Sequence, residues 1–264
     1  MQPRAGHLGT RLQVLGVGLL GPGLPGWAAA REVLTGRTSW EPSPVTPPAP
    51  ACLAPAERRR AGLVTRLAMA AAAEATAGLE TSGLPSVFGS SNSDGAVVAA
   101  ILEALAGPPP VQVSPTQFHN SVHNASAAYW GIGRADMSSS VTVACHDDTF
   151  AASLLHAAAR AVREPVLLCV YDAPMPAPLN ALRATEHAMA VALVLGLPAP
   201  GSFELRLVPA PAEDDVLPVS PSLQELAMAN PVGRSLRLLE LLARGEGGRA
   251  ALPYFDGHLA IELC

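Results

Sequence analysis

The sequence has no lysine; all 17 basic side chains are arginine. That excludes a Schiff-base lysine, the lysine of a P-loop and a lysine general base. Aromatic residues make up only 4% of the 264 residues, so alanine, leucine and valine must fill the core. Charged residues are 15% and the net charge is -5, which gives no electrostatic footprint for nucleic acid. The only basic run, Arg58-Arg59-Arg60, reads as a solvated helix face. The four cysteines, Cys52, Cys145, Cys169 and Cys264, share no CxxC or similar metal-binding spacing. We therefore expect no metal, no cofactor and a reduced, cytoplasmic chain. Cys169 lies inside the apolar run Val166 to Val170, where a cysteine behaves as a small hydrophobe.

A long, uninterrupted apolar segment is also missing. Arg4 and Arg11 followed by Ala28-Ala29-Ala30 mimic an export signal, but Pro22, Pro25 and five glycines between positions 16 and 26 would break its helix. The uncharged stretch from His187 to Phe203 falls short of the ~20 residues a span needs and contains Pro198 and Pro200. No membrane span is expected.

With 49% hydrophobic residues there is ample material for one large core. Periodicity predicts a strand over Leu12 to Val17, a helix over Trp27 to Leu34 and a proline-rich loop over 41–55. A long helix follows over Glu57 to Leu79, then a strand over Leu84 to Phe88 and a helix over Ala96 to Leu105, capped by Ser93 or Asp94. Ser114-Pro115 is an N-cap followed by a first-turn proline, so a helix is expected from there to Trp130. Further strands are read at Ser140 to Ala144, Pro165 to Tyr171 and Ala188 to Leu195, with a helix over Asp148 to Val162. The tail should hold a strand, a helix over Val232 to Leu242 and a hairpin across Asp256-Gly257. Strands alternating with helices imply an α/β fold, a mixed, mostly parallel sheet with helices on both faces.

Several motifs carry possible chemistry. Gly16-Val17-Gly18-Leu19-Leu20-Gly21 fits GxGxxG, but Pro22, Gly23 and Pro25 follow where a dinucleotide-binding helix must open. A tight turn at a strand end is the expected use. His119 and His123, four apart, would share a helix face; with no third ligand in the motif they read as polar residues facing a cleft or partner. His146 adjoins Cys145, but sequence neighbours rarely point the same way, so no dyad is expected. His187 and His258 are isolated and read as structural. Cys145 stands out. It ends a β-branched strand, Val141 to Ala144, and precedes a helix whose N-terminal field would favour a thiolate. The competing reading is a buried small hydrophobe.

Taken together, these segments resemble the N-terminal half of β-ketoacyl synthases, the condensing enzymes of the thiolase superfamily. Val14 to Pro22, Trp27 and Leu34-Thr35-Gly36-Arg37 are similar to that family's first strand, turn and helix. Thr65 to Ala71 resembles the next helix, Ser86 to Ser91 the strand and loop after it, and Val143-Ala144-Cys145 with Phe150 the elbow that carries the acyl-accepting cysteine. More narrowly, Ser114 to Asn124 resembles short ketosynthase-like proteins, which often act as accessory or chain-length-factor-like members of fatty-acid-type and aryl-polyene-type pathways. The resemblance covers about residues 10–200, a half-thiolase domain, and leaves 201–264 as an extension expected to pack on the same domain.

The resemblance implies Cys145 as candidate nucleophile and Phe118, Asn124, Tyr129, Trp130 and Phe150 as pocket or interface residues, with Tyr129 and Trp130 closing an acyl tunnel. It also implies a dimer through the strand before the cysteine. The family's second half supplies two histidines and a lysine. The 119 residues after Cys145 contain only His146, His156, His187 and His258, none in such a setting, and no lysine. The expectation is a catalytically incomplete accessory protein, partnered in a dimer or hetero-oligomer with a full-length ketosynthase and with acyl carrier protein. Alternative readings are a Cys145-dependent acyltransferase or β-ketoacyl synthase, and a plain acyl- or carrier-protein-binding module.

Overall fold

The computed structural model describes residues 9–110, 112–183, 185–200, 202–212, 216–218 and 220–263; Arg4 and Cys264 lie outside them. The centre of the molecule is an eight-stranded mixed sheet. Its strands are β1 (Thr10–Leu20), β2 (Ser86–Gly89), β3 (Ser140–Val143), β4 (Val166–Asp172), β5 (Met189–Gly196), β6 (Phe203–Val208), β7 (Gly248–Tyr254) and β8 (Gly257–Leu263). They run in the order β3-β2-β4-β5-β1-β6-β8-β7.

Strands β4 and β5 are continuous apolar runs because both of their faces are covered. Alternate residues serve alternate layers. Val166, Leu168 and Val170 with Met189, Val191, Leu193 and Leu195 enter one core; Leu167, Cys169 and Tyr171 with Ala190, Ala192 and Val194 enter the other. The first core is closed by α7 (Thr149–Ala161), α8 (Pro221–Ala229) and α9 (Leu236–Arg244), the second by α3 (Leu63–Ala75) and α6 (Ala125–Arg134). Helices thus flank both faces, as expected. Among the described residues no helix is long and apolar enough to cross a membrane.

The sheet is not mostly parallel. Only β2 runs parallel to its neighbours β3 and β4; the other five pairings are antiparallel. Parallel pairing needs a helical crossover. Among the described residues between β4 and β5 the one helical element is a 3-10 turn at Leu179–Ala181, and β7 turns straight into β8.

The two longest predicted helices are broken. The Glu57 to Leu79 stretch divides into α2 (Pro55–Arg60) and α3, because Ala61 is extended and Gly62 lies so close to Asp94 that a Cβ would crowd its Oδ2 at 2.8 Å. The Ser114 to Trp130 stretch divides into α5 (Pro115–Asn120) and α6. At the break Ser121 Oγ donates to the Phe118 carbonyl at 2.9 Å, and Asn120 is buried, donating to the Arg60 carbonyl at 2.8 Å and accepting from Tyr129 Oη at 3.1 Å. Side-chain bonds of this kind compete with helix continuation.

Gly16 and Gly18 are not in a turn. They sit within β1, where a Cβ would collide with the carbonyl oxygens of Ala75 and Ala71 on α3. The glycine pair therefore serves helix-on-strand packing. The turn follows at Gly21–Leu24, whose backbones exchange two hydrogen bonds. Asp94 caps α4 (Gly95–Ala106) by accepting from Val97 N at 3.2 Å.

From Phe203 onward the described strands continue the same sheet: β6 pairs with β1, β8 with β6, and α9 packs against α1 (Trp27–Leu34) and β7. The hairpin turn is Phe255-Asp256, with Phe255 left-handed at φ 51° and Gly257 opening β8. Helix α8 escaped the sequence pattern although Ser220-Pro221 repeats the start signal seen at Ser114-Pro115.

Candidate functional site

The parallel strands β2, β3 and β4 end on one side of the sheet, and their exits build the site around Cys145. β3 ends at Val143; Cys145 follows at φ -148°, ψ 45°, and leads through a 3-10 turn, His146–Asp148, into α7. His146 is left-handed at φ 49°, a costly conformation for a residue with a Cβ. The turn is held from inside. The Cys145 amide donates to Thr149 Oγ1 at 2.9 Å, Thr149 Oγ1 donates to the His146 carbonyl at 2.7 Å, and Ser91 Oγ donates to the same carbonyl at 2.5 Å.

Asp172, at the end of β4, anchors the loop that supplies Ser91. Fully buried, it accepts from Ser90 Oγ at 2.9 Å, Ser91 N at 2.9 Å and Asn92 N at 2.8 Å. Burial pushes its carboxyl up, and the Asn92, Ser91 and Ser90 donors oppose that. Arg183 clasps the turn from outside. It bonds Asn92 Oδ1 at 2.7 Å, His146 Nε2 at 2.6 Å and Asp147 Oδ1 at 2.6 Å. Arg234, from the C-terminal segment, bonds Asp148 Oδ1 at 2.7 Å, while Asp148 Oδ2 accepts the Phe255 amide at 2.9 Å. Asp148 therefore ties the β7–β8 hairpin to the start of α7.

Cys145 is half-buried, and its thiol is pushed up by burial and by the Asp148 carboxylate. Burial and the Asp148 carboxylate oppose the favourable helix-end field that the sequence suggested. Among the described residues no hydrogen bond reaches its sulfur. His146 faces Arg183, His123 Nε2 bonds the Ser90 carbonyl at 2.9 Å, and His258 Nδ1 bonds the Ala210 carbonyl at 2.7 Å. His119 stands edge-on to Tyr129 at 5.8 Å. The break after Asn120 puts His119 on α5 and His123 in the following loop, so they do not share one helix face. Among the described residues no three His, Cys, Asp or Glu side chains group to hold a metal.

The expected pocket residues do not form one pocket. Phe150 is buried in the core beneath α7, and Tyr129 is buried with its hydroxyl on Asn120. Trp130 lines an apolar cleft of about 450 Å3 under the proline-rich loop, on the opposite face of the sheet from α7. Phe118 and Asn124 are exposed on the α5–α6 surface, with Asn124 lining a second cleft between α6 and β3.

The family model for the beta-ketoacyl synthase N-terminal domain matches residues 27–245. The chain belongs to that family. No curated protein matches the sequence. Among solved structures, a complex of the ketosynthase ApeO with its chain length factor ApeC from Xenorhabdus doucetiae contains a similar chain. That likeness has a TM-score of 0.72 at 20% identity and covers 96% of this chain and 99% of that one. A chain of the ishigamide ketosynthase/chain length factor is similar at TM-score 0.65 and 14% identity, over 96% of this chain and 98% of that one. A chain of AntDE:AntF, a type II PKS acyl-carrier protein in complex with its ketosynthase bound to the hexaketide, follows at TM-score 0.63 and 13% identity, over 97% and 99%. By contrast, the chain spans only 44% of the ketosynthase from module 6 of the bacillaene synthase from Bacillus subtilis, at TM-score 0.53 and 11% identity. These likenesses fix the thiolase-like half-fold.

Within this ketosynthase-like frame, the sequence located the cysteine turn but missed the clasp. Asp172, Asn92, Arg183 and Arg234 carry no motif. Asp172 did have a signal: a lone carboxylate ending the apolar run Val166 to Tyr171 must be buried or at a strand exit.

Proposed function

We propose that this chain is a catalytically incomplete, ketosynthase-like accessory protein that pairs with a complete ketosynthase in a fatty-acid-, polyketide- or aryl-polyene-type pathway. The observation that carries this reading is the state of Cys145. Its thiol is disfavoured as thiolate, no histidine among the described residues bonds it, and its own amide is occupied by Thr149. A condensing site needs a base or a preorganised oxyanion donor, and among the described residues neither is poised at this cysteine.

Support for pairing comes from the surface. β3 is an edge strand with one partner among the described strands, and Ile132 and Met137, both exposed, Met137 at 98%, share a cleft with its residues Ser140 and Thr142. The cleft between α6 and β3, about 450 Å3 and mostly apolar, continues that patch. An open edge beside apolar side chains invites strand pairing or docking. The solved neighbours named for a ketosynthase with its chain length factor favour a ketosynthase as the partner, and the AntDE:AntF complex favours acyl carrier protein as the source of the chain. Free Cys52, Cys145 and Cys169 accord with a reducing cytoplasm.

Co-expression with complete ketosynthases of the same genome, read by size exclusion with light scattering, tests the reading. A one-to-one heterodimer is expected. A chain that elutes without any of them overturns it.

A further inference from the structure

We propose that the cleft beneath the proline-rich loop is a second binding site, taking an uncharged, mainly apolar small molecule with a carbonyl acceptor, such as a fatty acyl ester. The cleft is separate from the Cys145 turn and from the α6–β3 surface, so the inference does not rest on the pairing proposed above.

Its volume of about 450 Å3 lies within the usual range for small-molecule sites, roughly 300–1,000 Å3. Its walls are Leu20 at the end of β1, Pro48 and Pro50 of the loop, Met69 and Ala70 of α3, and the Trp130 ring. These give a largely apolar lining with little side-chain freedom to lose on binding. Neither end of the cleft is apolar. Glu74 is satisfied by the protein itself: its carboxylate accepts from Trp27 N at 2.6 Å and Leu19 N at 3.0 Å. Arg134 stacks over Trp130 at 5.3 Å and makes no hydrogen bond to a carboxylate among the described residues, so its N–H groups are available to an acceptor.

Charge decides the class of ligand. Arg134 and Cys52 are shared with an adjoining polar cleft that also contains Glu80 and Asp136. Asp136 is held low by the Ser138 hydroxyl and amide, with Arg134 adding to the effect, so it stays ionised. Glu74 here and Glu80 and Asp136 in the adjoining cleft, against the guanidiniums of Arg134 and of Arg58, which bonds the Ala51 carbonyl on the cleft wall at 3.1 Å, leave the surroundings net negative by one charge. A free carboxylate is repelled there, while a neutral carbonyl can still accept from Arg134.

The test is titration of the full chain with methyl decanoate and with decanoate, followed by calorimetry. The ester is expected to bind one-to-one, and the acid several-fold more weakly, with the gap closing at high salt. Ala70→Phe should fill the cleft and weaken the ester at least tenfold. Arg134→Met, on the exposed end of α6, should weaken it several-fold without touching the core, which covers the case in which the first variant misfolds. Absence of ester binding, an ester affinity unchanged in both variants, or an acid that binds as tightly as the ester overturns the proposal.

Discussion

The amide of Cys145 donates to Thr149 Oγ1 at 2.9 Å, which fastens the candidate nucleophile to the first residue of α7. Thr149 is fully buried and also donates to the His146 carbonyl at 2.7 Å. One hydroxyl thus holds both sides of a turn that includes a left-handed histidine. Thr149→Val keeps the shape but leaves the half-buried Cys145 amide without its acceptor, while the His146 carbonyl keeps only the Ser91 hydroxyl. We expect a loss of about 1–3 kcal/mol, read by urea denaturation. Thr149→Ser should recover most of it. If Val and Ser behave alike, the hydroxyl is not what holds the turn.

The thiol of Cys145 should alkylate slowly at neutral pH. Burial first, and then Asp148, raise the pH at which thiolate forms. Peptide-resolved mass spectrometry after iodoacetamide treatment separates Cys145 from exposed Cys52. The Cys145 rate should still be climbing above the ordinary thiol range of about 8.5. Asp148→Asn removes the negative charge, lowers the thiol pKa and should speed alkylation at pH 8 several-fold. A Cys145 rate already saturated at pH 7 would mean an activated nucleophile, and the accessory reading would fall with it.

The contrast between Cys145 and its clasp shows what a sequence can carry. Cys145 was legible because the strand before it and the helix after it are each encoded by a local period. Its environment was not. Arg183 and Asp147 are 36 positions apart and Arg234 and Asp148 are 86 apart, and no periodicity links them. Sheet direction failed for a similar reason. Alternating elements imply crossovers, but whether the chain crosses over or doubles back between β4 and β5 depends on a loop whose path is set by distant groups such as Asn230, which donates to the His187 carbonyl. The glycines at 16 and 18 were visible but assigned to the wrong geometry, because their partner is the backbone of a helix more than 50 residues away.

That packing gives a stability prediction. In Gly18→Ala the new methyl meets the Ala71 carbonyl oxygen, and a backbone cannot rotate aside as a side chain does. α3 would have to lift from β1. A loss of about 1–3 kcal/mol is expected from overpacking of this kind, visible as a lower urea midpoint with an unchanged slope. Gly36→Ala offers the comparison. Its Cβ meets nothing within 4 Å, so any cost there reflects only its φ of 74°. A Gly18 variant no less stable than wild type would mean that the close approach is not real.

Asp147 should contribute to acid sensitivity. Burial pushes its carboxyl up, but the Arg183 hydrogen bond and the charges of Arg183, Arg234 and His146 outweigh that and hold it low. A carboxyl depressed in the folded state stabilises above its unfolded pKa, and that stability is lost as pH falls through the folded value. Stability should therefore decline from about pH 5 downward partly through this group. Its side chain is 41% exposed, so the screened contribution is under about 1 kcal/mol. Asp147→Asn should be slightly less stable than wild type at pH 7 and indistinguishable near pH 2. A gap that widens on acidification would contradict this sign.

The proposed partner surface makes the sharpest demand on the accessory reading. Ile132 is 54% exposed on α6 and faces both the α6–β3 cleft and the groove beside Pro115 and His119. Its side chain is exposed and outside both core clusters, so Ile132→Glu should leave the stability within about 0.5 kcal/mol of wild type by urea denaturation. At the centre of an apolar interface, however, the new carboxylate would be buried without a partner. Losing about 1–3 kcal/mol there weakens association by about 5- to 150-fold. Co-purification with the ketosynthase should therefore fail in this variant, while Leu207→Glu, at a residue 56% exposed near the end of β6 and five strands along the sheet from β3, should leave it intact. If both variants still co-purify, the ketosynthase docks elsewhere. If both fail, the effect is one of net charge, and the α6–β3 surface is not the interface.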